Sequence, residues 1–160
     1  MNRSILIALA GLALSSCGQG GDGNSTAAAA PPRPEPTPAE KAALLAALPV
    51  PYNAADLDNG RRVFARCRSC HTITEGGPNM TGPNLHGVFG KKAAANADFK
   101  YSDALKNAGF VWDGAHLDEW LEKPQTYLPG TKMSVAGLKD GKDRTDLIAY
   151  LMVETGHKAK

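Results

Sequence analysis

The sequence is short of cysteine, of net charge and of long apolar runs, and each shortage excludes something. Three cysteines in 160 residues are too few for a disulfide framework. A formal charge of +2 offers no electrostatic footprint for nucleic acid. No apolar run reaches the roughly 18–20 residues of a spanning helix, so a multi-pass membrane protein is out. What is present is 42% apolar and 21% charged, which excludes a collagen-like, coiled-coil or wholly disordered chain. The length suits one domain of ordinary size, with something left over.

The surplus is at the N-terminus. Arg3 precedes Ser4 to Ser16, a run carrying Ile5, Leu6, Ile7, Leu9, Leu12 and Leu14. This is a signal-peptide core over residues 1–16, too short for a stable span. It ends Leu14-Ser15-Ser16-Cys17. That ending resembles a bacterial lipobox, which implies cleavage before Cys17 and lipidation of it. Ordinary cleavage nearby, leaving a free thiol, and an uncleaved anchor are the alternatives. All three export the rest of the chain. The lipidated form is expected on the periplasmic side of a bacterial membrane, held stably because each buried methylene contributes about 0.8 kcal/mol.

Residues 17–55 read as a tether. Gly18 to Ser25 is glycine-rich, and Pro31-Pro32-Arg33-Pro34-Glu35-Pro36-Thr37-Pro38 is stiff and extended. Thr37-Pro38-Ala39-Glu40 is a helix start, with a capping threonine, a first-position proline and a closing glutamate. It predicts a short helix over 39–48, either docked on the domain or transient in the linker.

The chemistry lies in Cys67-Arg68-Ser69-Cys70-His71. Two thiols three residues apart on one helical turn can each add across a haem vinyl group, and the next histidine can bring its imidazole to the iron. A structural zinc site would need a second Cys or His pair at suitable spacing, and none follows. A thioredoxin-like pair would need a βαβ context, which the flanks lack. Asp56 is placed to cap the helix carrying the motif, and Asp58 favours its positive end. Gly60 costs about 1 kcal/mol inside that helix against alanine. A close helix crossing or a frayed first turn would explain it.

A haem iron needs a sixth ligand or an open position. The candidates are Met80, Met133, Met152, His86, His116 and His157. Met152 sits in an amphipathic run from about Asp143 and reads as core. Met80 lies in a turn-rich loop close behind the motif. Met133 follows a Pro129-Gly130 turn that can fix a side chain, far enough from His71 for the chain to wrap a haem. Met133 is the best candidate by chemistry, with His116 the runner-up.

From Asp56 to the end, the chain resembles the class I cytochromes c of the mitochondrial and bacterial cytochrome c2 group. The matching segments are Cys67–His71, Gly82–Gly90, Tyr101–Lys106, Trp112, Trp120–Pro124, Tyr127–Met133, Ala136–Lys139 and Asp146–Leu151, in the family's order. The resemblance implies an all-α domain over 56–160, with four or five helices around one covalent haem c and crossing terminal helices. It implies His71 and Met133 as axial ligands, thioether links at Cys67 and Cys70, and the Pro83 carbonyl as partner of the other His71 nitrogen. Tyr101 and Trp112 look like propionate partners. Trp120 lies beside the axial methionine, Thr131 bonds near a propionate on that side, and His86 is structural, bonded to a neighbouring loop. Gly60 and Phe64 would cross Leu147 and Tyr150. Lys91 stands where many relatives have arginine, and Leu105 where mitochondrial relatives have asparagine.

The expected function is a one-electron carrier, not an enzyme, tethered to the membrane and acting as a monomer. By resemblance it runs from a bc1-type complex to a terminal oxidase in a respiratory or photosynthetic chain. Lys91, Lys92, Lys123, Lys132 and Lys139 are expected to ring part of the haem edge and steer it to an acidic partner. Two rivals are a ligand-binding or peroxidatic haem whose sixth position opens, and a haem subunit held permanently in a larger complex.

Overall fold

The computed structural model describes residues 35–157. The signal segment, Cys17 and residues 18–34 of the tether lie outside the described residues. The chain runs through α1 (Pro38–Ala46), a 3-10 turn (Tyr52–Ala54), α2 (Leu57–Phe64), α3 (Asp103–Lys106), α4 (Gly114–Glu122), α5 (Pro124–Tyr127) and α6 (Gly141–Glu154). Extended pairing among the described residues is limited to one bridge, Lys92 with Val111. The architecture is all-α.

Side-chain caps set where the helices begin. Thr37 and Glu40 form the reciprocal capping box of α1. Asp56 accepts the Asn59 N–H at 2.9 Å for α2, Asp113 the His116 N–H at 2.8 Å for α4, and Asp140 the Asp143 N–H at 3.0 Å for α6. Each satisfies an amide that the helix itself cannot.

The core is the crossing of α2 over α6. A Cβ on Gly60 would overlap the Asp146 carbonyl and stand 2.6 Å from Tyr150 Cβ. The glycine's helix cost is thus offset by a close backbone approach, and Phe64 meets Tyr150 one turn on, ring centroids 5.8 Å apart. Asp146, 2% exposed, staples the crossing. It accepts the Asp56 N–H and the Asn59 amide, each at 2.9 Å, and Lys142 Nζ at 2.5 Å. Burial alone would raise its pKa, but these donors outweigh that and hold it below the usual carboxylate range.

The last helix departs from the amphipathic pattern expected of it. Asp146, Leu147, Ile148 and Ala149 are all buried, so this stretch of α6 has no solvent face. The reason is that α2, α4, α1 and the 3-10 turn all pack on it. Residues 35–55 are therefore docked on the domain. Lys41 pairs with Glu154, and Leu48 belongs to the main core.

Candidate functional site

Cys67, Cys70 and His71 follow α2 without belonging to it. The helix expected to carry them ends at Phe64. Beyond it the Cys67 N–H bonds the Phe64 carbonyl at 2.8 Å and the Cys70 N–H the Cys67 carbonyl at 3.0 Å. These tightened bonds are usual where a helix ends. The His71 N–H then reaches the Cys67 carbonyl at 2.9 Å, so both thiols and the imidazole still leave one turn. Both thiols are free and half-buried. Burial pushes the Cys67 thiol up, with Arg66 opposing.

The grip on His71 is local. Its Nδ1 lies 2.8 Å from the Pro83 carbonyl. A carbonyl only accepts, so Nδ1 carries the proton and Nε2 keeps its lone pair. Burial lowers the pKa of the ring, with the Pro83 bond opposing, which favours the neutral imidazole that ligates metals. Gly82 is pressed against the ring: a Cβ would stand 2.7 Å from both Nδ1 and Nε2. The loop folds back on the motif through Gly82 N–H to the Cys70 carbonyl at 2.9 Å and Leu85 N–H to the Thr72 carbonyl at 2.8 Å.

That loop is tied by asparagines that sequence reasoning did not find. Asn84 donates to the Thr74 and Gly77 carbonyls at 2.9 and 2.7 Å. Asn79 Oδ1 accepts the Asn84 N–H at 2.9 Å and the Asn96 amide at 3.1 Å. The ladder joins the loop holding Pro83 to the loop leading to Tyr101. Asparagine in a turn-rich segment carries no spacing that announces such a role.

The grip on Met133 comes from elsewhere in the chain. Trp120, buried on α4, donates its indole N–H to Met133 Sδ at 3.1 Å. Edge contacts with Trp112 and Tyr127, at centroid distances of 5.4 and 6.1 Å, hold the indole. Gln125 Nε2 donates to the Met133 carbonyl at 2.9 Å and the Thr131 carbonyl at 3.2 Å. Thr131 is buried, and its Oγ1 accepts the Met133 N–H at 3.3 Å.

The other candidate ligands are engaged or placed differently. Met80 is exposed and Met152 is buried within α6. His116 bonds Asp113 at 2.8 Å and stacks on Phe110. His157 packs against Phe89. His86 differs from expectation: its ring makes no hydrogen bond among the described residues, and its backbone N–H donates to Asn84 Oδ1 at 2.7 Å. The loop is held there by the asparagine, so the ring is not needed for the bond.

Tyr101 and Trp112 line a cavity of about 590 Å³ together with Lys91, Lys92, Asn79 and Asn96. Burial raises the Tyr101 hydroxyl pKa. Trp112 is buried. The two exposed lysines at the cavity suit an anion. Taken together, two free thiols on one turn, a neutral imidazole with Nε2 unspent, a bonded thioether and a donor-lined cavity fit a covalent haem with two carboxylates. Lys91, Lys92, Lys123, Lys132 and Lys139 are all exposed. None is ion-paired among the described residues. Lys132 Nζ donates to the Lys100 and Tyr101 carbonyls at 3.2 and 3.3 Å.

The family model for cytochrome c matches residues 57–153. Cytochrome c of Kluyveromyces lactis is 42% identical over 106 residues, 66% of this chain and 96% of that protein. Cytochrome c of Theileria parva is 52% identical over 97 residues, 60% of this chain and 84% of that protein. Cytochrome c2 of Rhodomicrobium vannielii is 44% identical over 105 residues, 66% of this chain and 84% of that protein. Among solved structures, cytochrome cH from Methylobacterium extorquens aligns with a TM-score of 0.57 at 45% identity, covering 61% of this chain and 97% of that one.

Proposed function

The chain belongs to the cytochrome c family, and on that premise we propose that it is a membrane-tethered carrier with His71 and Met133 as axial iron ligands. As a family member it has the class I cytochrome c fold, carries one covalent haem c, and is an electron carrier acting with redox partner proteins rather than an enzyme. The bound haem supplies a one-electron iron couple. The chain's own residues decide how that couple is used.

Cys67 and Cys70 would hold the group by thioether bonds. Pro83 fixes the His71 ring and its tautomer, as outer partners of metal ligands do. The indole N–H of Trp120 engages one sulfur lone pair and orients the other. Thioether against imidazole favours reduced iron and a raised potential. Two protein ligands leave no position for substrate, which is what a carrier needs. Tyr101 and Trp112 would hold the propionates, with Thr131 bonding near one of them on the methionine side and Lys91 placed to offset part of their charge.

The exposed lysines 91, 92, 123, 132 and 139 steer the carrier to an acidic partner. Donor and acceptor are a bc1-type complex and a terminal oxidase. The lipobox-like Leu14–Cys17 supports an anchor on the periplasmic side of a bacterial membrane, with the protein acting as a monomer above it. The anchor is tested by Cys17→Ala, which should move the protein from membrane to soluble fraction.

The observation that carries the ligand assignment is the Trp120 bond to Met133 Sδ at 3.1 Å. The test is the visible and near-infrared spectrum of the matured protein beside Met133→Ala. A sulfur-to-ferric-iron band present in the parent and lost in the variant is expected. A parent without the band, or a variant that keeps it, overturns the assignment.

A further inference from the structure

The family match begins at Leu57, yet residues 35–55 are built into the domain at three points. Lys41 Nζ pairs with Glu154, the last residue of α6, at 2.5 Å. Leu48 is 6% exposed, with Leu45 and Tyr52 packed on the same core. The Tyr52 phenol lies on the first residue of α4: a Cβ on Gly114 would stand 2.7 Å from its Cε2 and Cζ.

These contacts have a direction. Lys41 meets the end of α6, while Tyr52 lines a groove with Gly141, Arg144 and Thr145 at its start. The segment runs antiparallel to α6 along its length. A chain arriving from the N-terminus therefore enters the domain beside Glu154, not at Asp56.

We propose that residues 35–55 are a strap that sets the length of the N-terminal tether. The proposal rests on the anchored reading of Cys17. With the strap docked, its first contact with the domain is Lys41, so the 23 residues 18–40 separate the anchor from it, and a chain of that length spans at most about 76–83 Å. With the strap released, the 38 residues 18–55 do so, with a limit of about 125–137 Å. Docking shortens the radius the domain can sweep by about two-fifths. The volume within reach falls about four- to fivefold, and effective concentration at a partner inside that radius rises accordingly. The strap's mixed attachment, one ion pair with two apolar contacts, leaves it separable from the family core.

The experiment uses the full, matured, lipid-modified chain in phosphatidylethanolamine–phosphatidylglycerol vesicles containing a trace of headgroup-labelled fluorescent lipid. Energy transfer from the label to the haem reports the domain's distance from the surface. The variants are Lys41→Glu with Leu48→Asp, and Tyr52→Ala as a milder release. A 15-residue Gly-Ser insertion between Gly20 and Gly21 serves as a ruler for the length gained. The haem spectrum checks that each variant is folded.

In the parent, amides of residues 39–52 should exchange at least 100-fold more slowly than in the double variant. Transfer in the double variant should fall to the ruler's value, with Tyr52→Ala between. The proposal is overturned if exchange accelerates while transfer stays at the parent's level and the ruler lowers it. It is equally overturned if parent amides already exchange as fast as the variant's. A chain that does not sediment with vesicles overturns the anchor itself, and the length-setting role falls with it. That result is told apart from the others by the sedimentation alone.

Discussion

The two sides of the site are held by different means. His71 is gripped from within the next dozen residues, by the Pro83 carbonyl and the bare backbone of Gly82. Met133 is gripped by α4 and α5, through the Trp120 indole and the Gln125 amide. The first grip is steric and mostly backbone; the second is two side-chain hydrogen bonds from other elements. A short loop can impose geometry by closure alone, whereas a ligand far along the chain must be caught by whatever the fold brings beside it.

The largest break should be Gly82→Ala on the histidine side. Its methyl overlaps the His71 ring, and such overpacking costs about 3 kcal/mol. A matching fall in denaturation free energy, with a disturbed haem spectrum, checks it. An unchanged spectrum would show that the loop yields.

Next comes a change that spares both sides and loosens the frame beneath them. Asp146→Asn removes the carboxylate stapling α2 to α6, and about 2 kcal/mol should go. The sign follows from its depressed folded pKa. The contribution is present above the unfolded carboxylate value of about 3.9 and is lost as pH falls through the lower folded value. Parent and variant should therefore differ at pH 7 and converge in acid. A constant gap across pH would refute the assignment.

Trp120→Phe sharpens the comparison on the methionine side. It keeps an aromatic ring but loses the N–H together with part of the buried indole; the hydrogen-bond share of the loss is about 1 kcal/mol. The sulfur-to-iron band should then bleach at lower denaturant than the far-ultraviolet signal, while in the parent the two coincide. The smallest effect is expected from Gln125→Ala, below about 1 kcal/mol because the amide is exposed. Its mark should be a small selective loss of the same band. If Gln125→Ala outweighs Trp120→Phe, the indole is not the principal hold.

Much of this was legible before any coordinates, and particular residues show why. The capping box at Thr37 and the cap at Asp56 are local codes, and the helices start there. Cys67, Cys70 and His71 need only one turn to share chemistry. The Gly60 penalty left a close crossing or a frayed turn, and the structure has the crossing. The asparagine ladder was not legible, because Asn79, Asn84 and Asn96 meet across loops whose paths no periodicity records. Nor was the burial of Asp146 to Ala149 on α6, a helix on which α1 and the 3-10 turn also pack from the other end of the chain.

The same division runs through residues 35–55. Thr37 to Glu40 determine by themselves that a helix can begin, since capping is a contact between residues three apart. Whether that helix stays with the domain depends on Lys41 finding Glu154 and Leu48 finding the core, contacts that span most of the chain. Sequence alone thus determined where α1 and α2 begin and the Cys67–His71 attachment motif. Tertiary structure decided which indole meets the methionine, how the asparagines tie the loops, and where the domain begins. Local rules act through bonds a few residues long, while these outcomes depend on which distant surfaces bury each other.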